Sequence, residues 1–416
     1  MPSFACLPRQ ISLDLAPIEV AAACRHLPGC VFFDTAVDQG EDGAVSIVAA
    51  RPVEVFRGKS DGDWETFQSR LRARQTSVEI DAGIPNGFAA GYVEYDGAFC
   101  FGIYPQALIF RHADRSWHEI GRFLDLMGHG MPEAAPVTAG PRFEPRMTRE
   151  YFCGMVRRAQ EFIAAGDIYQ VNLSHPFTAR WDGDAFAFYE ALRHYSPAPQ
   201  AAFMDLGGRV ILSASPESFL KISGRSIRTR PIKGTRPRRS EPNADALSAY
   251  ELRTSPKETA ELVMITDLER NDLGRICEYG SVCVSELLKL ERFEQIYHLV
   301  STVEGHLRCD VDHVQALRAC FPGGSITGAP KKRACEIIAE LEPWPRGLYT
   351  GAIGWFGFNG ESHFNIAIRT VIAESGAANF HVGAGIVADS VPEKEWQETL
   401  DKAAGILLAA ERFGAA

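Results

Sequence analysis

Hydrophobic positions along the chain change period several times, and each change marks an element. Val45–Val48, Phe88–Tyr95 and Ala107–Arg111 are short alternating or apolar runs, and they predict a mostly β first part. Phe152, Met155/Val156, Ala159 and Phe162/Ile163 then recur at helical spacing. Gly166 supplies a C-terminal stop, and the strand-like stretch Ile168–Leu173 follows directly. Further on, strands (Val210–Ser213, Phe364–Ile368, Phe380–Gly383) alternate with helices (Pro256–Asp267, Lys331–Leu341, Pro392–Phe413). Several strands carry a polar residue at every second place, which points to antiparallel, mixed sheets rather than a doubly wound parallel one. The Pro-, Gly- and Ala-rich stretch Met131–Pro145 has no apolar period and reads as a linker, dividing a region 1–145 from a region 146–416.

Composition narrows the class of function. The 416 residues suffice for two domains or one large one, and 46% hydrophobic with 23% charged residues is ordinary globular composition. With 43 basic against 53 acidic residues and no Lys/Arg block, binding to a nucleic-acid backbone is disfavoured. The longest charge-free stretches, Gly97–Phe110 and Gly347–Gly360, fall short of the roughly 18–20 apolar residues of a membrane span and are broken by Gly or Pro. Arg9, Asp14 and Glu19 interrupt the N-terminus, so no signal peptide is expected there. Ten cysteines are scattered from Cys6 to Cys335 without a C-x-x-C pair, the pattern of reduced thiols in a cytoplasmic protein.

Two glycine-rich motifs invite a nucleotide reading and fail it. Gly383-Ala384-Gly385-Ile386-Val387-Ala388 fits a dinucleotide fingerprint, but Asp389-Ser390-Val391-Pro392 delays the helix and no second strand with an acidic residue follows. The two glycines still leave backbone N–H groups close together, as an anion such as a carboxylate requires. Gly323–Lys331 resembles a phosphate loop, but Ala329 stands where the lysine should follow the last glycine.

Acidic residues are placed less ordinarily. Ser255-Pro256-Lys257-Glu258 reads as a capping box opening a helix. Glu261 falls on that helix's apolar face, between Ile265 and Leu268, where an unpaired carboxylate is rare. Glu395, Glu398 and Lys402 share one stripe of the last helix. Glu398 and Lys402 at i,i+4 are most simply a surface ion pair, but if the two helices converge, the glutamates form an all-oxygen site suited to Mg²⁺.

Eight segments together carry a resemblance: GDIYQVNLS (Gly166–Ser174), SASPESF (Ser213–Phe219), RPIKGTRPR (Arg230–Arg238), ELVMITDLERNDLGRI (Glu261–Ile276), YHLVSTVEG (Tyr297–Gly305), FPGGSITGAPKKRA (Phe321–Ala334), FNIAIRT (Phe364–Thr370) and VGAGIVADSVPEKEWQETLDKA (Val382–Ala403). In this order, from about Thr148 to the C-terminus, the chain resembles the chorismate-utilising enzymes: anthranilate synthase component I, aminodeoxychorismate synthase component I, and the isochorismate and salicylate synthases. In the P-I-x-G-T segment, anthranilate synthases carry alanine and aminodeoxychorismate synthases lysine. Lys233 therefore resembles the latter, on the route to 4-aminobenzoate and folate, with anthranilate synthase as the alternative. The first part matches less well. Phe33-Asp34-Thr35 stands where a leucine-leucine-glutamate-serine run opens the tryptophan-feedback element, with Ser46 in a neighbouring strand.

The resemblance implies an α/β (α+β) fold of two packed, mostly antiparallel sheets flanked by helices. It implies that Glu258, Glu261, Glu395 and Glu398 surround Mg²⁺, with Glu261 and Glu398 as the direct ligands. It further implies that the Gly383 and Gly385 amides with Lys402 hold the ring carboxylate of chorismate, and that Arg369 and Tyr349 hold the enolpyruvyl carboxylate, a planar anion suited to an arginine fork. Thr327 and Gly328 lie nearby, and His298 lies close to the reacting ring. Glu217 is then the general acid for the departing hydroxyl and Lys233, as the neutral amine, the nucleophile that ammonia later expels. No cysteine sits in a glutaminase motif, so a separate glutamine amidotransferase is expected to deliver ammonia.

Overall fold

The computed structural model describes residues 7–37, 45–76, 83–127, 139–292 and 296–413. Their strands form a twelve-stranded and a ten-stranded sheet. Every pairing that builds the site is antiparallel, from Gln170–Arg180 with Ala377–Ile386 to Ile232–Pro237 with Ile296–His306. Each sheet takes strands from both sides of the Pro/Gly-rich stretch, whose residues 131–138 lie outside the described ones. Phe203, Ile211 and Leu212 of the larger sheet share one core cluster with Phe88, Tyr92, Ile353 and Trp355 of the smaller, so the sheets pack face to face. A second cluster covers the far side of the smaller sheet with Trp64, Phe67, Leu273 and Leu317 from three helices.

The helices follow their apolar spacing. Arg149–Ala164 starts on a Thr148 cap and buries Phe152, Val156 and Ala159; Gly166, at φ +82°, takes the left-handed conformation that ends it. Pro256–Gly274 runs seven residues further than its pattern predicts, because Glu269 and Asp272 continue the buried face as polar residues that periodicity does not count. The last helix, Pro392–Arg412, packs on the Ala377–Ile386 strand and on Arg149–Ala164. No helix among the described residues is long and apolar enough to cross a membrane. The described cysteines are free thiols, buried at Cys24, Cys30, Cys100, Cys153, Cys277 and Cys320 and exposed at Cys283 and Cys309.

Two connections matter most. The chain leaves the larger sheet after Val210–Ser215 and enters the smaller at Ser218–Ser223, crossing at Pro216-Glu217. It returns from Glu361–Ile366 to Thr370–Glu374 across Ala367–Arg369. The two crossings are stitched together: Ile366 N–H donates to the Glu217 carbonyl at 3.1 Å, Ala214 N–H to the Arg369 carbonyl at 3.0 Å, and Ser215 Oγ to the Ile366 carbonyl at 2.6 Å.

Candidate active site

Lys233 lies on Ile232–Pro237, a strand at one end of the smaller sheet. The register with Ile296–His306 slips between Lys233 and Thr235, and Gly234 takes φ +69° at the irregularity, a conformation that a side chain would strain. A Cβ there would also lie 3.1 Å from Glu258 Oε2, which puts the head of the Pro256–Gly274 helix against this strand. The half-buried Lys233 ammonium lies 3.4 Å from the Ser325 carbonyl. Across the ladder His298 is buried, its Nδ1 3.0 Å from Thr235 Oγ1. Burial pushes its pKa down to about 4; the Gly234 carbonyl opposes this and the Arg369 charge adds to it.

Glu217, on the first crossing, is 6% exposed, and burial raises its carboxyl above the usual range while Lys233 and Lys402 hold the rise back. A second acid stands behind it. Glu269 is 5% exposed, accepts from Thr229 Oγ1 at 2.8 Å, and is pushed to about 8 by burial and next by repulsion from Glu217. Sequence reading missed Glu269, although it lies eight residues beyond Glu261 on the same helix, where the same face test would have found it.

The four remaining glutamates come from two helices, and all four lie near enough to Lys257 to act on its charge. Only half of the capping box forms: Glu258 N–H donates to Ser255 Oγ at 3.4 Å, while Ser255 N–H turns to the Leu252 carbonyl, so the Glu258 carboxylate is not spent on the cap. Glu261 is raised by burial, and Lys233 and Lys257 oppose this. Glu395 Oε1 accepts from Ser390 Oγ at 2.8 Å, but Glu395 Oε2 and Glu261 Oε1 are buried with no hydrogen-bond partner. Glu398 makes the anticipated ion pair with Lys402 at 2.8 Å, half exposed, and Lys402 Nζ reaches on to the Gly383 carbonyl at 2.9 Å. Among the described residues no three acidic, His or Cys side chains are already gathered around one point. The donor set is nevertheless all oxygen, and its two orphaned buried oxygens are chemically suited to a hard cation.

Bare backbone and cationic side chains line the rest of the site, adjoining the glutamates. A Cβ at Gly383 would meet the Tyr349 hydroxyl at 2.7 Å, and one at Gly385 would meet Gln170 Nε2 at 2.7 Å and approach Glu261 Oε2 to 4.0 Å. Tyr349 is buried and stacks on His381 with ring centroids 5.4 Å apart. Arg369, at φ +49°, forms no ion pair among the described residues, and burial alone lowers its pKa. Thr327 is fully buried, but its hydroxyl donates to the Gly323 carbonyl at 2.9 Å, so it shapes the turn. Gly328 pairs with Val171 at φ +145°, where a Cβ would lie 2.1 Å from the Gln170 carbonyl. Gln170 Oε1, Asn172 Nδ2 and Ser174 Oγ, three side chains at alternate positions of the strand facing these glycines, are also buried without partners. Their period of two was readable in the sequence as a polar face on an otherwise apolar strand.

Glutamates from two helices, the bare Gly383–Gly385 backbone beside them, an arginine with no ion pair among the described residues and a half-buried lysine near a buried acid are the side chains and main chain of one candidate site. Residues 30–408 match the family described as chorismate binding enzyme, and the chain belongs to that family. Aminodeoxychorismate synthase component 1 of Bacillus subtilis is 45% identical over 279 residues, 67% of this chain and 59% of that protein's length. Anthranilate synthase component 1 of Methanothermobacter thermautotrophicus is 39% identical over 360 residues, 80% of this chain and 77% of that protein. The crystal structure of anthranilate synthase component I from Streptococcus pneumoniae superposes with a TM-score of 0.78 at 30% identity, covering 89% of this chain and 94% of that one.

Proposed function

We propose that this chain is an aminodeoxychorismate synthase component I, converting chorismate and ammonia to 4-amino-4-deoxychorismate. The observation that carries this reading is Lys233, whose ammonium lies close enough to Glu217, Glu261 and Glu398 to influence the ionisation of all three. The anthranilate synthase relative, with 80% of the chain matched, favours anthranilate synthase component I as the second reading.

In the proposed reaction the enolpyruvyl carboxylate rests on Arg369 and Tyr349, and the ring carboxylate on the Gly383–Gly385 backbone near Lys402. Glu258, Glu261, Glu395 and Glu398 would hold Mg²⁺, which when bound neutralises the ring carboxylate. Glu217, whose carboxyl burial raises above the usual range, gives its proton to the hydroxyl, which leaves as water. Lys233, after its ammonium has released a proton to solvent, adds its amine nitrogen to the ring as that bond breaks, with the ring double bonds shifting. Ammonia then forms the bond to the carbon that bore the hydroxyl and returns the electron pair and the amine to Lys233. Ammonia comes from a glutamine amidotransferase subunit. Incubation with chorismate and ammonium, with the product identified by mass, tests the reading: a product that retains the enolpyruvyl group and releases no pyruvate supports it, and fluorescent anthranilate would establish the alternative.

A further inference from the structure

Lys257 sits where a helix least favours a cation. It occupies the first turn of Pro256–Gly274, where the aligned peptide dipoles present their positive end and acidic residues are preferred. Its i,i+4 partner Glu261 also lies on the C-terminal side, the weaker orientation for such a pair. The compensation comes from the other helix. Lys257 Nζ is 3.5 Å from Glu395 Oε1, whose side chain is 3% exposed, and 3.9 Å from Glu261 Oε1. Both glutamates keep one buried oxygen without a hydrogen-bond partner: Glu261 Oε1, which Lys257 faces beyond hydrogen-bond reach, and Glu395 Oε2. The lysine side chain itself is 48% exposed, so its ammonium can leave for solvent without repacking the core.

We infer that Lys257 is a tethered counter-ion: its ammonium spans the two glutamate-bearing helices in the place a divalent cation takes, holds the carboxylates together in the metal-free chain, and is displaced when that cation binds. The inference rests on the reading of the four glutamates as a Mg²⁺ site. Its physical content is competition. An ammonium about 4 Å from two carboxylates screens their repulsion in the empty site, and a divalent ion gains their full attraction only after the ammonium has moved away. Lys257 is thus a positioning residue, acting through Glu261 and Glu395 rather than on substrate.

The test is thermal unfolding of the full chain across a MgCl₂ titration, with KCl matching the ionic strength, for the unmodified chain, Lys257→Met and Lys257→Arg. Lys257→Met keeps the aliphatic stem and removes the charge. It should unfold at a lower temperature without metal, yet reach its half-maximal Mg²⁺-dependent rise at about ten-fold less MgCl₂. Lys257→Arg, which retains the charge, should need as much MgCl₂ as the unmodified chain. If metal-free Lys257→Met fails to fold, recovery of its circular dichroism by Mg²⁺ supports the role and persistent loss opposes it. A Mg²⁺ response of equal midpoint in the unmodified chain and Lys257→Met overturns the counter-ion and leaves the metal reading standing. No specific response in any of the three removes the metal reading and the counter-ion with it.

Discussion

Thr235 and His298 face each other across an antiparallel pair, hydroxyl to imidazole Nδ1 at 3.0 Å, two residues from Lys233. The contact holds a neutral ring, since burial keeps the His298 pKa at about 4 against 6.5 for a free side chain. The unfolded chain therefore takes up a proton first as pH falls, and folding loses stability between about pH 6.5 and 4 from this residue. Relative to the unmodified chain, His298→Asn should lose roughly 2 kcal/mol less on going from pH 7.5 to pH 5, read by denaturant unfolding at both values. Equal losses would mean that His298 titrates normally.

Glu269 gives the opposite slope. Its folded pKa of about 8 exceeds the 4.5 of a free carboxyl, so its contribution is complete at acid pH and fades as pH rises through 8. Glu269→Gln retains an acceptor for Thr229 and cannot ionise. The unmodified chain should lose about 3 kcal/mol more than Glu269→Gln between pH 6 and pH 9. Parallel pH profiles would contradict a neutral carboxyl at this position.

In the proposed reaction, Lys233 and Glu217 serve different steps. Lys233→Ala should leave the fold and chorismate binding intact and remove most of the turnover. The unmodified chain given chorismate without ammonium should show a mass increase on the peptide containing Lys233. Glu217→Gln should reduce kcat by about 10²–10⁴-fold, the usual worth of a placed general acid. An unmodified peptide together with full activity in Lys233→Ala would leave direct attack by ammonia as the mechanism.

Gly385→Ala distinguishes site from scaffold. The added methyl meets the movable end of Gln170 at 2.7 Å rather than backbone, so the stability change should stay within about 1 kcal/mol. The same methyl projects toward Glu261 Oε2, and KM for chorismate should rise at least ten-fold. Unchanged kinetics would remove the 383–385 backbone from the substrate contacts.

Much of this was legible in the chain because it depends on local periodicity. Glu261 announced itself as a carboxylate on an apolar face, and its side chain is indeed only 11% exposed. Glu398 did not, because its i,i+4 partner Lys402 makes the ordinary ion pair that the spacing suggests; what no wheel contains is the Gly383 carbonyl that Lys402 also reaches. Lys257 was hidden in the same way, its decisive partner Glu395 lying on the last helix, far along the chain. The bulge at Gly234 and the pairing of early strands with late ones are long-range choices of register, which alternation constrains only to a face.

The paired crossings at Glu217 and Arg369 have a consequence for how this enzyme fails. The acid and the arginine stand on the seams between the sheets: the Glu217 carbonyl accepts from Ile366 of the smaller sheet and the Arg369 carbonyl from Ala214 of the larger. Any slippage of one sheet over the other would separate the proposed proton donor from the proposed anion clamp before either sheet lost its own ladder. Under mild denaturant or heat, turnover should therefore vanish while far-ultraviolet circular dichroism is still native, so that catalysis acts as a strain gauge on the sheet-to-sheet contact.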